Sequence, residues 1–514
     1  MTGGTVLSRV TGLARLAAIT AALGVVETRL ADTYNFGNTA PNIIYEFLLG
    51  GILTSVFVPV FVELLEKEGR DSAWEVGSAI INLSLLFLGV MTVLGIFAAP
   101  MLARFYEVDL PGQQRALTLL LRLFIPQIMF YALAAITAGL LNAHKRFGPP
   151  MYTPILNNLT VIAIFVYFAS TYGEVDLASV TTGQLILIGA GTTFGVAVMA
   201  FGQLPFLRGL GHYRLTFTVS HPSVRKLAGL SVFVVGYVMA NQVGYLVVQR
   251  LARGEKGAYT AYVAAFTFFQ LPYGLFAVSV ITALLPNMSQ LAVHQQWDDF
   301  RARLSDGLRA TLFLIFPAAV GYMVLGAPIV RLLLQNGIAT SQSTALVASV
   351  LRIFVLGLVP FSLFQLLLRA FYATQDTRTP FMVNCAAVGI NIVANIVLFG
   401  ILGVQGLAAG HAIGYTFGVV VQGLILSRRI GGLEMARLGA TGAKVVIASA
   451  GMGIAVWAAY SVAESIMPTE TLTGQASAVL APLLVGVAAY GLLAYLLRIE
   501  ELEAVRSLVR RRIS

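Results

Sequence analysis

The chain has 514 residues, of which 58% are hydrophobic and only 11% are charged, and its mean hydropathy is +0.83. A soluble domain carries about a quarter charged residues, so this composition excludes one, and it also excludes a disordered chain, a collagen and a disulfide scaffold. The formal charge is +10, but no long basic run or aromatic–basic platform precedes the tail, and we expect no nucleic-acid partner. A polytopic membrane protein explains the composition, because each span needs only about 20 apolar residues.

Fourteen apolar stretches of spanning length follow one another along the chain. They lie at about 5–26, 33–62, 76–103, 116–142, 151–171, 183–207, 224–249, 259–290, 310–334, 343–371, 380–402, 405–426, 441–463 and 475–497. They are too long and too evenly apolar for barrel strands. Arg9 and Arg15 interrupt the first stretch, so we expect a retained helix and not a cleaved signal. The sequence therefore predicts an all-α polytopic membrane protein with about fourteen transmembrane helices.

Lysine and arginine are distributed unevenly between the two sides that this count defines. If both termini are cytoplasmic, the inner loops and tail hold 22 of the 33 Lys and Arg residues, the outer loops hold 7 and the spans hold 4. Such a bias is the positive-inside signal. It predicts a multi-pass membrane protein with both termini in the cytoplasm.

Sequence landmarks recur at offsets of 228 to 231 residues, which points to an internal duplication. The pairs are Pro41 and Pro272, Ala99-Pro100 and Ala327-Pro328, Leu121-Arg122 and Leu351-Arg352, and Ala143 with Pro150 against Ala373 with Pro380. They predict two parallel six-helix repeats, with lobes at 1–210 and 222–428, two additional helices at 440–498 and a solvated or headgroup-facing cytoplasmic tail at 499–514. Repeats of this kind suit alternating access with a substrate site near the interface of the halves; the alternative is a duplicated scaffold without transport.

Enzyme motifs are absent from the sequence: there is no Walker A loop, no HExxH and no GxSxG elbow. We therefore expect no enzymatic activity, and we expect the five histidines to be interfacial or solvated. The first helix carries the main functional signal. A charge at the depth of Arg15 costs about 2.5–3.5 kcal/mol, so it should face a partner or a wet cavity. Arg9 and Arg15 together would suit a phosphate or diphosphate; alternatively, Arg9 snorkels and Arg15 pairs with Asp32 or another acid.

The second helix is unusually polar for a membrane span. Its polar residues Asn35, Asn38, Asn42, Tyr45 and Glu46 recur at the spacing of one helical face. Pro41 and Gly50-Gly51 would let this helix bend, which predicts a gate bearing a polar face. The alternative is that these polar side chains form hydrogen bonds to neighbouring helices and have no role in gating.

Oxygen ligands for Na⁺ could come from the seventh and eleventh helices. The candidates are Asn241, Gln242, Asp376, Asn384, Asn391 and Asn395. A packing role or a loop cap is the alternative for each of them.

Several motifs resemble, in order and spacing, the MurJ/MviN family of the multidrug/oligosaccharidyl-lipid/polysaccharide exporter superfamily, and most closely its actinobacterial branch. They are Ser8-Arg9-Val10-Thr11-Gly12-Leu13-Ala14-Arg15, Asp32, Pro41-Asn42, Gly50-Gly51, Phe57-Val58-Pro59, Leu141-Asn142, Arg146-Phe147, Leu285-Pro286 and the run from Phe371 to Pro380. The resemblance implies a lipid II flippase of the bacterial cytoplasmic membrane, with inward-open and outward-open states. It further implies a cationic cavity for the diphosphate and a lipid-tail groove lined by the helices at about 441–497.

The resemblance also assigns residues. Arg9, Arg15 and Asp32 fall on cavity positions of the family, whereas two further expected cavity arginines are Tyr45 and Thr267 here. We expect Arg9, Arg15, Asp32, Asn42, Tyr45 and Glu46 to contact substrate and Pro41, Gly50 and Gly51 to gate. No cofactor is expected, and coupling would use the membrane potential, Na⁺ or H⁺. The expected partners are lipid II, the bilayer and cell-wall synthesis and division proteins, with a monomeric chain. The alternative is an exporter of another lipid-linked oligosaccharide or of a drug cation.

Overall fold

The computed structural model describes residues 2–47, 61, 69–106, 111–216, 222–467 and 471–503, and within these ranges the regular structure is helical, without a β-strand. The α-helices are α1 (Thr2–Leu23), α2 (Arg29–Phe47), α3 (Arg70–Phe105), α4 (Pro111–Phe124), α5 (Gln127–Ala143), α6 (Gly148–Tyr172), α7 (Thr182–Phe201), α8 (Pro222–Ala252), α9 (Ala258–Pro272), α10 (Val278–Val293), α11 (Trp297–Leu334), α12 (Ser341–Leu356), α13 (Leu358–Ala373), α14 (Arg378–Leu402), α15 (Val404–Ile430), α16 (Met435–Ile466) and α17 (Leu472–Leu496). A 3₁₀ turn at Leu204–Leu207 follows α7, and a π-helical turn at Tyr273–Ala277 joins α9 to α10.

Eleven helical segments in the described ranges are long and apolar enough to cross a membrane, and a twelfth candidate is the pair α12–α13, bent by 49°. These twelve coincide with twelve of the predicted spans. The remaining two, 33–62 and 224–249, begin within α2 and lie within α8, although most of 48–68 is outside the described residues. The prediction of an all-α polytopic membrane protein is confirmed.

The internal repeat reappears in backbone geometry. Lys145 after α5 and Gln375 after α13 have φ angles of 60° and 59°, and Gly173 after α6 and Gly403 after α14 have φ angles of 62° and 60°. Each pair is separated by 230 residues. Because a positive φ is uncommon for residues other than glycine, a matching lysine and glutamine at one offset are strong evidence of duplication. The helices that follow them, α6 and α14, both have 25 residues.

The chain divides into two compact units. Unit 1 comprises residues 1–263 and 336–343, and unit 2 comprises residues 264–335 and 344–514. The core of unit 1 lies where α1, α2, α4, α6 and α7 meet, and Tyr34 at its centre makes edge-to-face contacts with Phe124 and Phe165. The predicted lobes at 1–210 and 222–428 and the additional helices at 440–498 stay predictions.

A proline in α9 is accommodated by a tyrosine from another helix. Pro272 has no amide hydrogen, so the Phe268 carbonyl one turn earlier loses its helical partner. The Tyr322 hydroxyl of α11 donates to that carbonyl at 3.1 Å. The helix therefore continues into the π-helical turn without leaving this backbone oxygen unsatisfied.

The start of the predicted tail differs from the expectation of a solvated segment. Ile499 is 3% exposed and Glu501 is 9% exposed. Both pack beside α11, where Arg309 forms ion pairs with Glu500 and Glu501. The apolar side chain of Ile499 and the ion pairs with Arg309 together hold this first part of the tail against α11.

Candidate functional site

The two arginines of α1 are both partly buried in unit 1. Arg15 lies close enough to the hydroxyls of Tyr34 on α2 and Tyr131 on α5 to interact with them electrostatically. Both tyrosines are buried, so Arg15 is directed toward the interior of unit 1. Within the described part of the chain, neither Arg9 nor Arg15 forms an ion pair, which leaves the guanidinium of Arg15 available for an anion.

An asparagine of α6 fixes α1 in place. The Asn158 side-chain amide donates to the Thr11 hydroxyl at 3.0 Å and approaches the Ser8 carbonyl at 3.3 Å. Thr11 lies one turn from Arg15, on nearly the same face of α1. Asn158 was not among the sequence candidates, and the only signal for it was a pair of asparagines, Asn157 and Asn158, within an otherwise apolar span.

The predicted polar face of α2 is partly exposed, whereas Tyr34 and Phe36 on other faces are buried. Asn35 donates to the Thr260 hydroxyl of α9 at 3.1 Å, and Asn42 donates to the Asn38 carbonyl at 2.8 Å. Asn35 therefore connects two helices, as the hydrogen-bond alternative requires, while Asn38 and Asn42 are partly exposed and the side-chain oxygen of Asn38 is buried.

The predicted gating residues are only partly described. Pro41 is buried inside α2. The side chains of Tyr45 and Glu46 lie outside the described residues, as do Gly50 and Gly51 entirely. Their proposed roles therefore stay predictions.

Asp32 is buried and bound to the N-terminus of α9. Its carboxylate accepts hydrogen bonds from the Gly257 amide at 2.7 Å, the Thr260 amide at 3.0 Å and the Thr260 hydroxyl at 2.7 Å. The first amides of a helix lack partners within the helix, and the negative charge of a carboxylate there also interacts favourably with the positive end of the helix dipole. These bonds join α2 to α9, and Asp32 does not pair with Arg15.

Aromatic side chains reinforce the contact between α2 and α9. Phe36 stacks on Tyr259 with ring centroids 4.5 Å apart. The Tyr259 hydroxyl meets the Thr39 hydroxyl at 2.7 Å and accepts from the Gln249 amide of α8 at 2.8 Å. Buried polar groups that are satisfied in this way specify one arrangement of the helices.

The candidate Na⁺ ligands lie in different units. Asn241 of α8, in unit 1, donates to the Tyr237 carbonyl one turn earlier at 3.0 Å. Asp376, in the loop before α14 of unit 2, accepts from the Thr379 amide and pairs with Arg429. Burial raises the pKa of Asp376, but the bonds from Thr379 and Arg429 outweigh burial and lower it. Asn384 is fully buried in α14.

One histidine does not fit the expectation that these residues are interfacial or solvated. His411 of α15 is 8% exposed, and its ring is surrounded by aromatic rings of unit 2. Centroid distances of 4.6 to 5.8 Å separate it from Phe266, Phe269, Phe354, Phe361 and Tyr415. The expectation is wrong for His411 because its apolar neighbours come from three other helices, which the local sequence does not reveal.

A protein-family model described as "Lipid II flippase MurJ" matches residues 19–474 of this chain. A probable lipid II flippase MurJ of Rhizobium tropici is 29% identical over 433 residues, covering 83% of this chain and 80% of the relative. The corresponding protein of Bdellovibrio bacteriovorus is 27% identical over 514 residues, covering 98% of this chain and 95% of the relative.

Solved structures share the fold of this chain. A structure titled "Lipid II flippase MurJ, inward closed conformation" aligns with a TM-score of 0.76 at 23% identity, covering 96% of this chain and 97% of its own. An inward-facing multidrug transporter of the MATE family aligns with a TM-score of 0.67 at 14% identity, covering 82% and 94%. At these identities the two structures support the shared fold alone.

Proposed function

This chain belongs to the MurJ family of lipid II flippases, and we propose on that premise that it moves lipid II across the bacterial cytoplasmic membrane by alternating access. The sugar–peptide head and the diphosphate would cross through a hydrated path, while the polyprenyl tail stays in the bilayer. The chain would act as a monomer with both termini in the cytoplasm, near the cell-wall synthesis and division proteins that use its product.

The position of Arg15 is the main observation that supports a diphosphate-binding site in this chain. Its guanidinium reaches buried tyrosines of unit 1 and, among the described residues, has no carboxylate partner. An arginine at this depth is costly unless it faces a partner or a hydrated cavity, and its planar guanidinium can donate two parallel hydrogen bonds to a diphosphate. We propose that Arg15 holds the diphosphate, with Arg9 closer to the cytoplasmic entrance and the accessible face of α2 lining the path.

The membrane potential is the energy source that we favour. Moving one negative charge outward through 100 mV releases about 2.3 kcal/mol when the inside is negative, and the diphosphate is an anion. The hydrogen bonds and ion pair of Asp376 make this residue a loop cap, which weakens its case as a Na⁺ ligand. Coupling to Na⁺ or H⁺ through other residues is the alternative.

The test replaces Arg15 in two ways and uses Arg122, an exposed arginine of α4, as the matched control. We expect Arg15→Ala to abolish growth of cells depleted of their own flippase and to stop lipid II flipping in proteoliposomes. Arg15→Lys should retain part of the flipping because the charge remains, and Arg122→Ala should flip at the wild-type rate. Full flipping by Arg15→Ala would overturn the role of Arg15, and purified wild-type protein that transports a cationic dye but not lipid II would overturn the proposed function.

A further inference from the structure

The turn between α1 and α2 contains a carboxylate with many hydrogen-bond donors. Glu27 accepts from the Val25 amide at 2.8 Å, from the Thr340 amide and hydroxyl at 2.7 and 2.6 Å, and from the Ser343 hydroxyl at 2.6 and 2.8 Å. The Ser343 oxygen in turn accepts from the Val26 amide at 3.1 Å. Residues more than 300 positions apart in the chain are thus joined at one carboxylate.

Backbone contacts reinforce this junction. The Ile338 amide donates to the Ala21 carbonyl, the last turn of α1, at 3.1 Å. Gly337 has a φ of +63°, and a Cβ atom there would lie 2.2 Å from the Ala21 oxygen. Only glycine permits both this conformation and this close approach. The segment 336–343 is therefore shaped to lie against the end of α1.

The third partner of the turn is the loop before α9. Lys256 donates from Nζ to the Glu27 carbonyl at 2.6 Å. Gly257, with φ +80°, lies so close to the turn that a Cβ atom would be 2.6 Å from the Val25 oxygen. The α1–α2 turn, the segment 336–343 and the loop before α9 are all on the side that the charge count predicts to be extracellular. The contacts therefore connect three outer loops.

Glu27 stays ionised in this position. Burial raises its pKa, but the hydrogen bonds from Ser343 and Thr340 outweigh burial and lower the pKa to about 2. A carboxylate with this pKa keeps its charge at any physiological pH. Its negative charge also interacts favourably with the positive N-terminal end of the α12 dipole.

We infer that Glu27 is a gating residue: its carboxylate latches the segment 336–343 to the end of α1, and the latch must release when the outer side opens. The segment clusters with unit 1, whereas residues 335 and 344 on either side belong to unit 2. Because α12 begins at Ser341, a movement of the start of α12 away from α1 has to break the bonds of Ser343 to Glu27. The inference rests on the proposed transport cycle, but the latch can be tested without transport.

The first experiment measures amide hydrogen exchange across residues 335–343 in the full-length protein. Glu27→Ala should accelerate exchange of this segment at least tenfold, because it removes the acceptor of the Thr340 amide and loosens the bond of the Ile338 amide. Glu174→Ala, which removes an exposed carboxylate from another predicted outer loop, should change nothing. Unchanged exchange in Glu27→Ala, with α6 still protected as evidence of folding, would overturn the latch.

Ser343→Ala serves as an independent second variant, because it removes the hydroxyl that bridges Glu27 and the Val26 amide. It should raise exchange in the same segment by a smaller factor. If Glu27→Ala does not fold, this variant decides: an unchanged exchange rate in folded Ser343→Ala counts against the latch.

The second experiment locks the latch and measures flipping of lipid II in proteoliposomes. In a Cys385→Ser background, Glu27→Cys and Ser343→Cys are joined by a bifunctional methanethiosulfonate reagent and later released with a reductant. We expect flipping by the double cysteine variant to stop on cross-linking and to return to its untreated rate on reduction, while the reagent leaves the rate of each single cysteine variant equal to that variant's own untreated rate. Full flipping by the cross-linked protein would overturn the gating role. Wild-type protein that flips no lipid II would overturn the proposed function instead, so the two failures are distinguishable.

Discussion

The Tyr490 hydroxyl of α17 donates a hydrogen bond of 2.8 Å to the Phe313 carbonyl of α11. Pro317 lies four residues after Phe313 and has no amide hydrogen to offer this carbonyl. The rings of Tyr490 and Phe313 also pack, with centroids 5.3 Å apart. One tyrosine therefore both satisfies the proline break of α11 and joins a C-terminal helix to it.

Removal of this hydroxyl should weaken unit 2. We expect Tyr490→Phe to lower the free energy of unfolding by about 1 kcal/mol, because the ring contact survives while the carbonyl of the buried Phe313 loses its donor. Thermal unfolding in detergent measures the loss. Tyr167→Phe, which removes the hydroxyl of an exposed tyrosine of α6, is the control, and equal melting temperatures for the two variants would contradict the argument.

The charge cluster at the start of the tail leads to a second prediction. Arg309 is 7% exposed and lies 2.8 Å from Asp306, 2.8 Å from Glu500 and 3.2 Å from Glu501, which is 9% exposed. Arg309→Met should cost about 3 kcal/mol of stability, because it leaves the buried carboxylate of Glu501 without a countercharge. Arg303→Met should cost less than about 1 kcal/mol, because Arg303 is 55% exposed and only 3.8 Å from Asp306.

Adding Glu501→Gln to Arg309→Met checks the physical reason. If the cost comes from an unpaired buried charge, neutralising that charge should restore part of the melting temperature. A double variant that is less stable than Arg309→Met alone would show that the loss comes from packing of the arginine stem instead.

The helices and their duplication could be predicted because a membrane constrains the sequence at every position of a span. Each span must be apolar for about 20 residues, and a duplication copies its prolines and turns, so the 230-residue offset is visible both in the sequence and in the φ angles of Lys145 and Gln375. The inward direction of Arg15 followed from the cost of its charge in lipid.

The long-range polar contacts could not be predicted in this way. Glu27 lies in a turn of ordinary composition, and its partners Thr340 and Ser343 are more than 300 residues later. The family resemblance assigned Asp32 to a cavity position, but it could not show the bonds of Asp32 to Thr260, which depend on α2 and α9 meeting in space. Periodicity identifies the buried face of one helix and does not identify which helix covers it.

The latch at Glu27 makes the stability of the protein depend on pH. The pKa of Glu27 in the folded chain is about 2, below its ordinary value of 4.5. A lowered pKa contributes stability that is fully present above pH 4.5 and is lost as the pH falls toward 2. The difference in melting temperature between wild type and Glu27→Gln should therefore be constant from pH 8 to pH 5 and should fall by roughly half by pH 3. Glu174→Gln is the control, and a difference that grows on acidification would contradict the assigned pKa.

The last prediction separates two roles for Asp32. Its carboxylate accepts both the amide and the hydroxyl of Thr260 as well as the amide of Gly257, so Asp32→Ala leaves three buried donors without an acceptor. We expect a loss of about 2–3 kcal/mol in thermal unfolding, and a smaller loss for Asp32→Asn, whose amide oxygen still accepts. Asp71→Ala, at an exposed position in the first turn of α3, is the matched control.

Lipid II affinity then decides between the roles. If Asp32 acts only by holding α9, a folded Asp32→Asn variant should bind lipid II within about threefold of wild type, a difference of under 1 kcal/mol. If Asp32 instead tunes Arg9 and Arg15 directly, removing its negative charge should tighten diphosphate binding at least tenfold. The hydrogen bonds already committed to Gly257 and Thr260 favour the first result, because a carboxylate that caps a buried helix end has little freedom to turn toward α1.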